Sequence, residues 1–204
     1  MPSGADRRLF ATVAAVTVLA DLATKLVAES ALALRSAVAV VGETFQLRLV
    51  YNPGAAFGLH LGPWSRWIFL AVAIGAIVVL DRMSRTAETG DKLRQLACGL
   101  VAGGAFGNLV DRIRSAQGVV DFLDVGIGVH RWPTFNVADI GVSCGAILLA
   151  ISLWQEDNER ERRRTGEHAV PEGTTGAQGT TGAPGTTGAQ GTTGAQGTTG
   201  VPPV

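Results

Sequence analysis

Histidine and cysteine are scarce in this 204-residue chain, which has three of the first and two of the second. His60, His130 and His168 lie far apart, and neither a His-Glu-x-x-His pair nor a cysteine cluster supplies the ligand spacing of a zinc site. Cys98 and Cys144 each fall inside an apolar stretch, which argues against a disulfide framework and predicts two small packing residues. No glycine-flanked serine stands near a usable histidine, so a serine nucleophile of the hydrolase-elbow kind is excluded as well. An excess of one charge is also missing. The 17 basic residues balance the 17 acidic ones, and the zero net charge removes a bulk electrostatic case for nucleic-acid binding. By elimination, hydrolytic acid–base chemistry falls to carboxylates.

Apolar sequence is what the chain has in quantity: 47% of residues are hydrophobic, and they are gathered into blocks. The blocks predict an all-α membrane protein with four transmembrane helices, at about Leu9 to Ala28, Trp64 to Leu80, Leu93 to Val110 and Val137 to Trp154. Trp64 and Trp67 stand where interfacial anchors belong. Arg7 and Arg8 before the run Leu9 to Ala20 imitate an export signal, but the apolar pattern resumes after Asp21 and Lys25 and reaches about Leu34, so a retained first span is expected. Basic residues cluster in three segments: Arg7 and Arg8; Arg82, Arg85, Lys92 and Arg94; and Arg160, Arg162, Arg163 and Arg164. Their shared side reads as cytoplasmic, with both termini on it, although Arg35, Arg48, Arg66, Arg114 and Arg131 on the other side narrow the contrast.

The membrane unit is expected over residues 9–156, after a cytoplasmic N-terminus at 1–8. A small β-sheet cradle is expected on its outer face from about 35–62 and 118–134, because Phe45, Leu47, Leu49 and Tyr51 alternate with other residues, as do Leu123, Val125, Ile127 and Val129. Asn52-Pro53-Gly54 reads as a turn. Residues 157–204 are expected to form a cytoplasmic tail, charged at first and then carrying glycine at every third position from Gly173 to Gly200. That collagen-like spacing has too little proline for a stable triple helix, so a flexible tail is expected.

Within this frame Asp121 and Asp139 fall in the outer half of the molecule. Ionisable groups near a membrane are costly and usually functional. Two carboxyls meeting at one site tend to share a proton, giving an acid and a base for amide hydrolysis, which reads as an intramembrane aspartyl protease. Gly99, Gly103 and Gly107 align as a small-residue ridge on the third span, where a neighbouring helix can approach closely. Asn108, Asp111 and Arg112 continue at spacings of three and four, as a structural polar network or as part of a site, with Arg112 able to pair with Asp111 or to ease the charge of a nearby carboxylate. Asp21 and Lys25, four apart, predict a structural ion pair, and Asp124 is expected to be a solvated outer residue. A rival reading makes Asp21, Lys25, Asp111 and Asp121 the ion path of a small transporter or channel, and a third makes the chain a non-catalytic scaffold whose tail recruits a partner.

Five segments in order carry a more specific likeness: Asp21-Leu22-Ala23-Thr24-Lys25, Asn52-Pro53-Gly54-Ala55-Ala56-Phe57-Gly58, Gly103 through Arg112, Val119-Val120-Asp121-Phe122, and Phe135-Asn136-Val137-Ala138-Asp139. Over about residues 8 to 154 the chain resembles the bacterial lipoprotein signal peptidase family, also called signal peptidase II. The resemblance implies an inner-membrane aspartyl endopeptidase of four helices and an outer sheet cradle, working as a monomer without metal or organic cofactor. Its implied partners are membrane lipid and diacylglyceryl-modified prolipoproteins, cut just before the lipidated cysteine. It implies Asp121 and Asp139 as the catalytic dyad near the outer face, with no assignment of which holds the proton. Asn52, Asn108, Arg112 and Asn136 are implied to bind substrate or orient the dyad, and Asp21, Lys25 and Asp111 to support it. The glycine-threonine tail lies outside the family pattern.

Overall fold

The computed structural model describes residues 4–34, 36–54 and 61–167. Arg35, Ala55 to Gly58, His60, His168 and the glycine-rich repeat lie outside the described residues. In chain order the elements are α1 (Gly4–Ala31), β1 (Ala37–Val41), β2 (Phe45–Asn52), α2 (Ser65–Thr86, after a short 3-10 turn at Gly62–Trp64), α3 (Lys92–Arg114), β3 (Val119–Ile127), β4 (His130–Arg131) and α4 (Val137–Glu167). All four helices are long and apolar enough to cross a membrane. The four expected spans and a small antiparallel sheet are therefore both present.

α3 is the central helix. More than half of its apolar window is buried (56%), against 11–22% for the other three, whose outward faces carry residues such as Leu19, Val27, Val72, Val79 and Ile147. The reason lies in its glycines. A Cβ at Gly103 would stand 2.7 Å from the Ala14 carbonyl oxygen of α1, and one at Gly104 would collide with the Ala138 carbonyl oxygen of α4. Two neighbours thus reach the α3 backbone from two sides, and the dispersion contacts of that close approach replace the bulky apolar side chains α3 lacks. Leu80, Cys98 and Ala102 form a small core with Phe10, Met83, Val101 and Leu149 around it.

Two expectations are corrected. The sequence ends the fourth span at Trp154 and assigns the charged stretch to a tail, but α4 continues through it to Glu167. Charges spaced four apart, Glu156 with Arg160 and Glu159 with Arg163, support those added turns. Cys98 is fully buried as expected, whereas Cys144 is exposed on α4 and packs no core.

The four strands form one antiparallel sheet in the order β1-β2-β3-β4. Alternation ends at Ile127, and Val129 sits in the tight turn to β4. The β2–β3 register sets Val50 opposite Asp121 and Asn52 opposite Val119. Gly118 makes that register reachable: its φ is +108°, and any Cβ there would collide with the Asn52 carbonyl.

Candidate active site

Asp121 and Asp139 arrive from different elements, the first from β3 and the second from the first turn of α4. Asn136 is the N-cap of α4. Its Oδ1 accepts from the Asp139 backbone N–H at 3.0 Å, and Asp139 Oδ2 accepts in return from the Asn136 N–H at 3.3 Å. This reciprocal capping box fixes Asp139 at the third helical position. The Asn136 amide then reaches the other carboxylate, Nδ2 donating to Asp121 Oδ1 at 2.7 Å, to Asn108 Oδ1 at 3.1 Å and to the Val120 carbonyl at 3.2 Å. One fully buried asparagine therefore contacts both aspartates.

Each carboxylate has a second amide donor. Asn52 Nδ2 donates to Asp121 Oδ2 at 3.1 Å while Asn52 Oδ1 accepts from the Gly54 N–H, so the expected turn also orients the side chain. Asn108 Nδ2 donates to Asp139 Oδ1 at 2.8 Å. Arg112 does not pair with Asp111: its guanidinium donates to the carbonyls of Asn108 and Gly54, both at 3.0 Å, and lies over the Phe69 ring. Arg66 of α2 in turn donates to the carbonyls of Arg112 and Ile113, satisfying the open C-terminus of α3.

Behind these groups lies a charged triad. Lys25 Nζ is 2.7 Å from Asp21 Oδ2 and 2.7 Å from Asp111 Oδ2, and all three side chains are at most 1% exposed. The expected Asp21–Lys25 pair is thus present, with a third member that sequence spacing does not reveal. Asp124 is the remaining surprise. It is 2% exposed rather than solvated, because Arg131 from β4 and Arg48 from β2 close over it at 2.6 and 3.2 Å.

Asp121 and Asp139 open onto a cavity of about 390 Å³ lined by Asn52, Asn108, Arg112, Val119, Trp132, Pro133, Phe135, Ile140, Val142, Ser143 and Cys144. Its walls are mainly apolar and its polar groups converge at one end, the form of a pocket that binds a greasy ligand and orients one bond of it. Burial, and then the charge of Asp139, push the Asp121 carboxyl up to about 7, although Asn52, Asn136 and Lys25 oppose the shift. Val142 and Ser143, three and four residues after Asp139, were readable as cavity residues from helical spacing. Trp132 and Arg66 carried no such signal, since their roles depend on packing between elements distant in sequence.

A four-span membrane protein with two carboxyls at the mouth of an apolar cavity belongs to the class of membrane enzymes, and the comparisons narrow that class. The family model for signal peptidase (SPase) II matches residues 13–155. The lipoprotein signal peptidase of Rhodococcus jostii strain RHA1 is 45% identical over 152 residues, covering 72% of this chain and 73% of that protein. That of Geobacter metallireducens is 35% identical over 156 residues, covering 76% and 96%. A bacterial membrane enzyme solved by the in meso method at 2.3 Å superposes with a TM-score of 0.66 at 28% identity, covering 72% of this chain and 88% of its own. The chain belongs to the signal peptidase II family, whose members are peptidases that process prolipoproteins.

Proposed function

We propose that this protein is an aspartic endopeptidase that removes the signal peptide from diacylglyceryl-modified prolipoproteins, cutting before the lipidated cysteine. The observation that carries this reading is the pair of carboxyls on β3 and α4, held by fixed amide donors at the polar end of an apolar cavity. Asp139 is the more exposed of the two, while Asp121 is buried and titrates near 7. We therefore assign Asp121 as the acid that holds the shared proton and Asp139 as the base.

In the first step Asp139 takes a proton from water as the oxygen attacks the scissile carbonyl carbon, and Asp121 passes its proton to the carbonyl oxygen. A neutral gem-diol results. In the second, Asp139 gives its proton to the amide nitrogen, the C–N bond breaks, and Asp121 recovers a proton from a gem-diol hydroxyl. Water has been divided between the new carboxyl and the new amine, and both aspartates return to their starting states. Arg112 and Asn52, beside the dyad, hold the substrate backbone, and the apolar wall from Ile140 to Cys144 receives lipid or signal-peptide side chains.

The basic runs at the far ends of the helices support a topology with both termini in the bacterial cytoplasm and the dyad at the outer face of the inner membrane. An exported precursor presents its cleavage site on that side. The test is cleavage of a diacylglyceryl-modified prolipoprotein by the purified protein in detergent. Asp121→Asn and Asp139→Asn should each lose about 10²–10⁴-fold in rate, the range of a general acid or base, while remaining folded. Undiminished cleavage by either folded variant rejects the dyad.

A further inference from the structure

The buried triad stands in a relation to the dyad that its own charges do not explain. Asp21 Oδ1 accepts from the backbone N–H of Ala138 at 2.9 Å, and Asp111 Oδ2 accepts from the backbone N–H of Val120 at 3.2 Å. Ala138 immediately precedes Asp139, and Val120 immediately precedes Asp121. Each candidate catalytic residue is therefore gripped at the preceding peptide by a carboxylate. Lys25 Nζ bridges the two gripping carboxylates at 2.7 Å each.

Lys25 makes a third contact, to Asn108 Oδ1 at 3.0 Å. An ammonium only donates, so the atom it meets must be the amide oxygen, and the Asn108 NH2 must face Asp139. A flipped amide would set an NH2 against the ammonium and an oxygen against the Asp139 carboxylate. The same charge that joins the two grips thus also dictates which group Asp139 meets.

We infer that Lys25 is a positioning residue: with Asp21 and Asp111 it forms a clamp that sets the separation of the two catalytic carboxyls and locks the Asn108 amide that orients Asp139. The clamp rests on the endopeptidase reading above. Gly107 shows how closely it is built, since a Cβ there would collide with the Asp21 carboxylate. The charged groups that act on the dyad are Lys25 from α1 and Arg112 from α3, with Asp21 from α1 and Asp111 from α3 held behind them against Lys25. Lys25→Arg conserves their total charge while replacing a point donor with a planar fork that cannot hold the same geometry.

The experiment compares wild type, Lys25→Arg, Lys25→Met and the inactive control Asp139→Asn, all as full-length protein in detergent with the same lipid-modified prolipoprotein. It follows kcat and KM across pH, with thermal unfolding alongside. Displacing a reacting group by about 1 Å can cost on the order of 100-fold. Folded Lys25→Arg is expected to lose at least about tenfold in kcat, with KM within about twofold. Its basic limb should move to lower pH, because Asp121 held further from Asp139 is raised less by that charge.

A folded variant with wild-type kcat and unmoved limbs overturns the clamp. So does a loss that scales the rate equally at every pH, which reports only a smaller folded fraction, and so does failure of both Lys25 variants to fold, which assigns Lys25 to stability alone. Wild type leaving the substrate uncut is a separate result and rejects the endopeptidase reading itself.

Discussion

The two ends of the helix bundle are both polar, and they are built on opposite plans. At the end away from the sheet, Arg7 of α1 reaches Ser84 and Asp81 of α2 at 2.8 Å, Ser84 and the Gln95 amide of α3 bond to each other, and Arg94 of α3 pairs with Glu156 of α4. The ion pairs there are partly exposed, and the cavity of about 320 Å³ at that end carries both signs, with Arg94, Arg160 and Arg163 among Glu88, Asp91, Glu156 and Glu159. At the end that carries the sheet the charges of the triad are fully buried, and two carboxyls are brought to one mouth. A tie between helices needs only opposite signs that satisfy one another. A reactive pair needs like signs, and these stay together only where surrounding donors over-determine their positions.

That contrast predicts how each end breaks. The largest effect on stability should come from Lys25→Ala, which leaves two carboxylates buried without their cation. A loss of about 3–5 kcal/mol is expected, against about 0–1 kcal/mol for Arg94→Ala at the end away from the sheet. Thermal unfolding in detergent measures both, and equal losses would erase the distinction.

Next in size is Asn136→Ala. It removes the cap of α4 and leaves Asp121 Oδ1 without its shortest donor, so about 1–3 kcal/mol of stability should go. Cleavage should fall further than that loss accounts for, since both carboxyls lose their common anchor. A rate that merely tracks the folded fraction would make Asn136 structural only.

A third prediction concerns sign. The folded protein binds a proton at Asp121 more tightly than the unfolded chain, with the carboxyl raised from 3.8 to about 7. Between those pH values the folded state holds more protons than the unfolded one, so this residue's contribution declines as pH rises through the window. Asp121→Asn should abolish the decline. The variant should melt above wild type at pH 8 and alongside it near pH 4, while being inactive at both. A variant that is less stable at pH 8 would contradict the burial argument.

The smallest effect should come from Glu159→Gln on the exposed end of α4. Its contact with Arg163 is long at 3.9 Å and open to solvent, and a change within about 0.5 kcal/mol is expected. A larger shift in unfolding temperature would show that the added turns of α4 are tied down by more than local pairs.

Much of this arrangement was legible in the chain because it depends on short spacing. Period two gives away β2, the apolar blocks mark four helices, the glycine ridge foretells the close approach of a neighbouring helix, which is α1, and Asp21 with Lys25 announces an ion pair one turn apart. What stayed hidden depends on register. Asp124 reads as an outer, solvated carboxylate until pairing of β2, β3 and β4 brings Arg48 and Arg131 over it. Cys144 resembles any small residue in an apolar span until the rotation of α4 turns it toward the cavity. The charged run after Trp154 looked like the start of a tail because hydropathy falls there, although its pairs four apart favour helix. The joining of Asp21 to Ala138 and of Asp111 to Val120 needs the contacts among α1, α3, α4 and the sheet all at once, and no local pattern encodes it.

The claim at the centre of this account is that two carboxyls sharing one proton perform the cleavage. Its most direct test is kcat/KM of the wild-type protein on a diacylglyceryl-modified prolipoprotein from pH 4 to pH 9. The profile is expected to fall on the basic side near 7, as Asp121 loses its proton. A profile that stays level across the whole range, in a protein that cleaves, would contradict it.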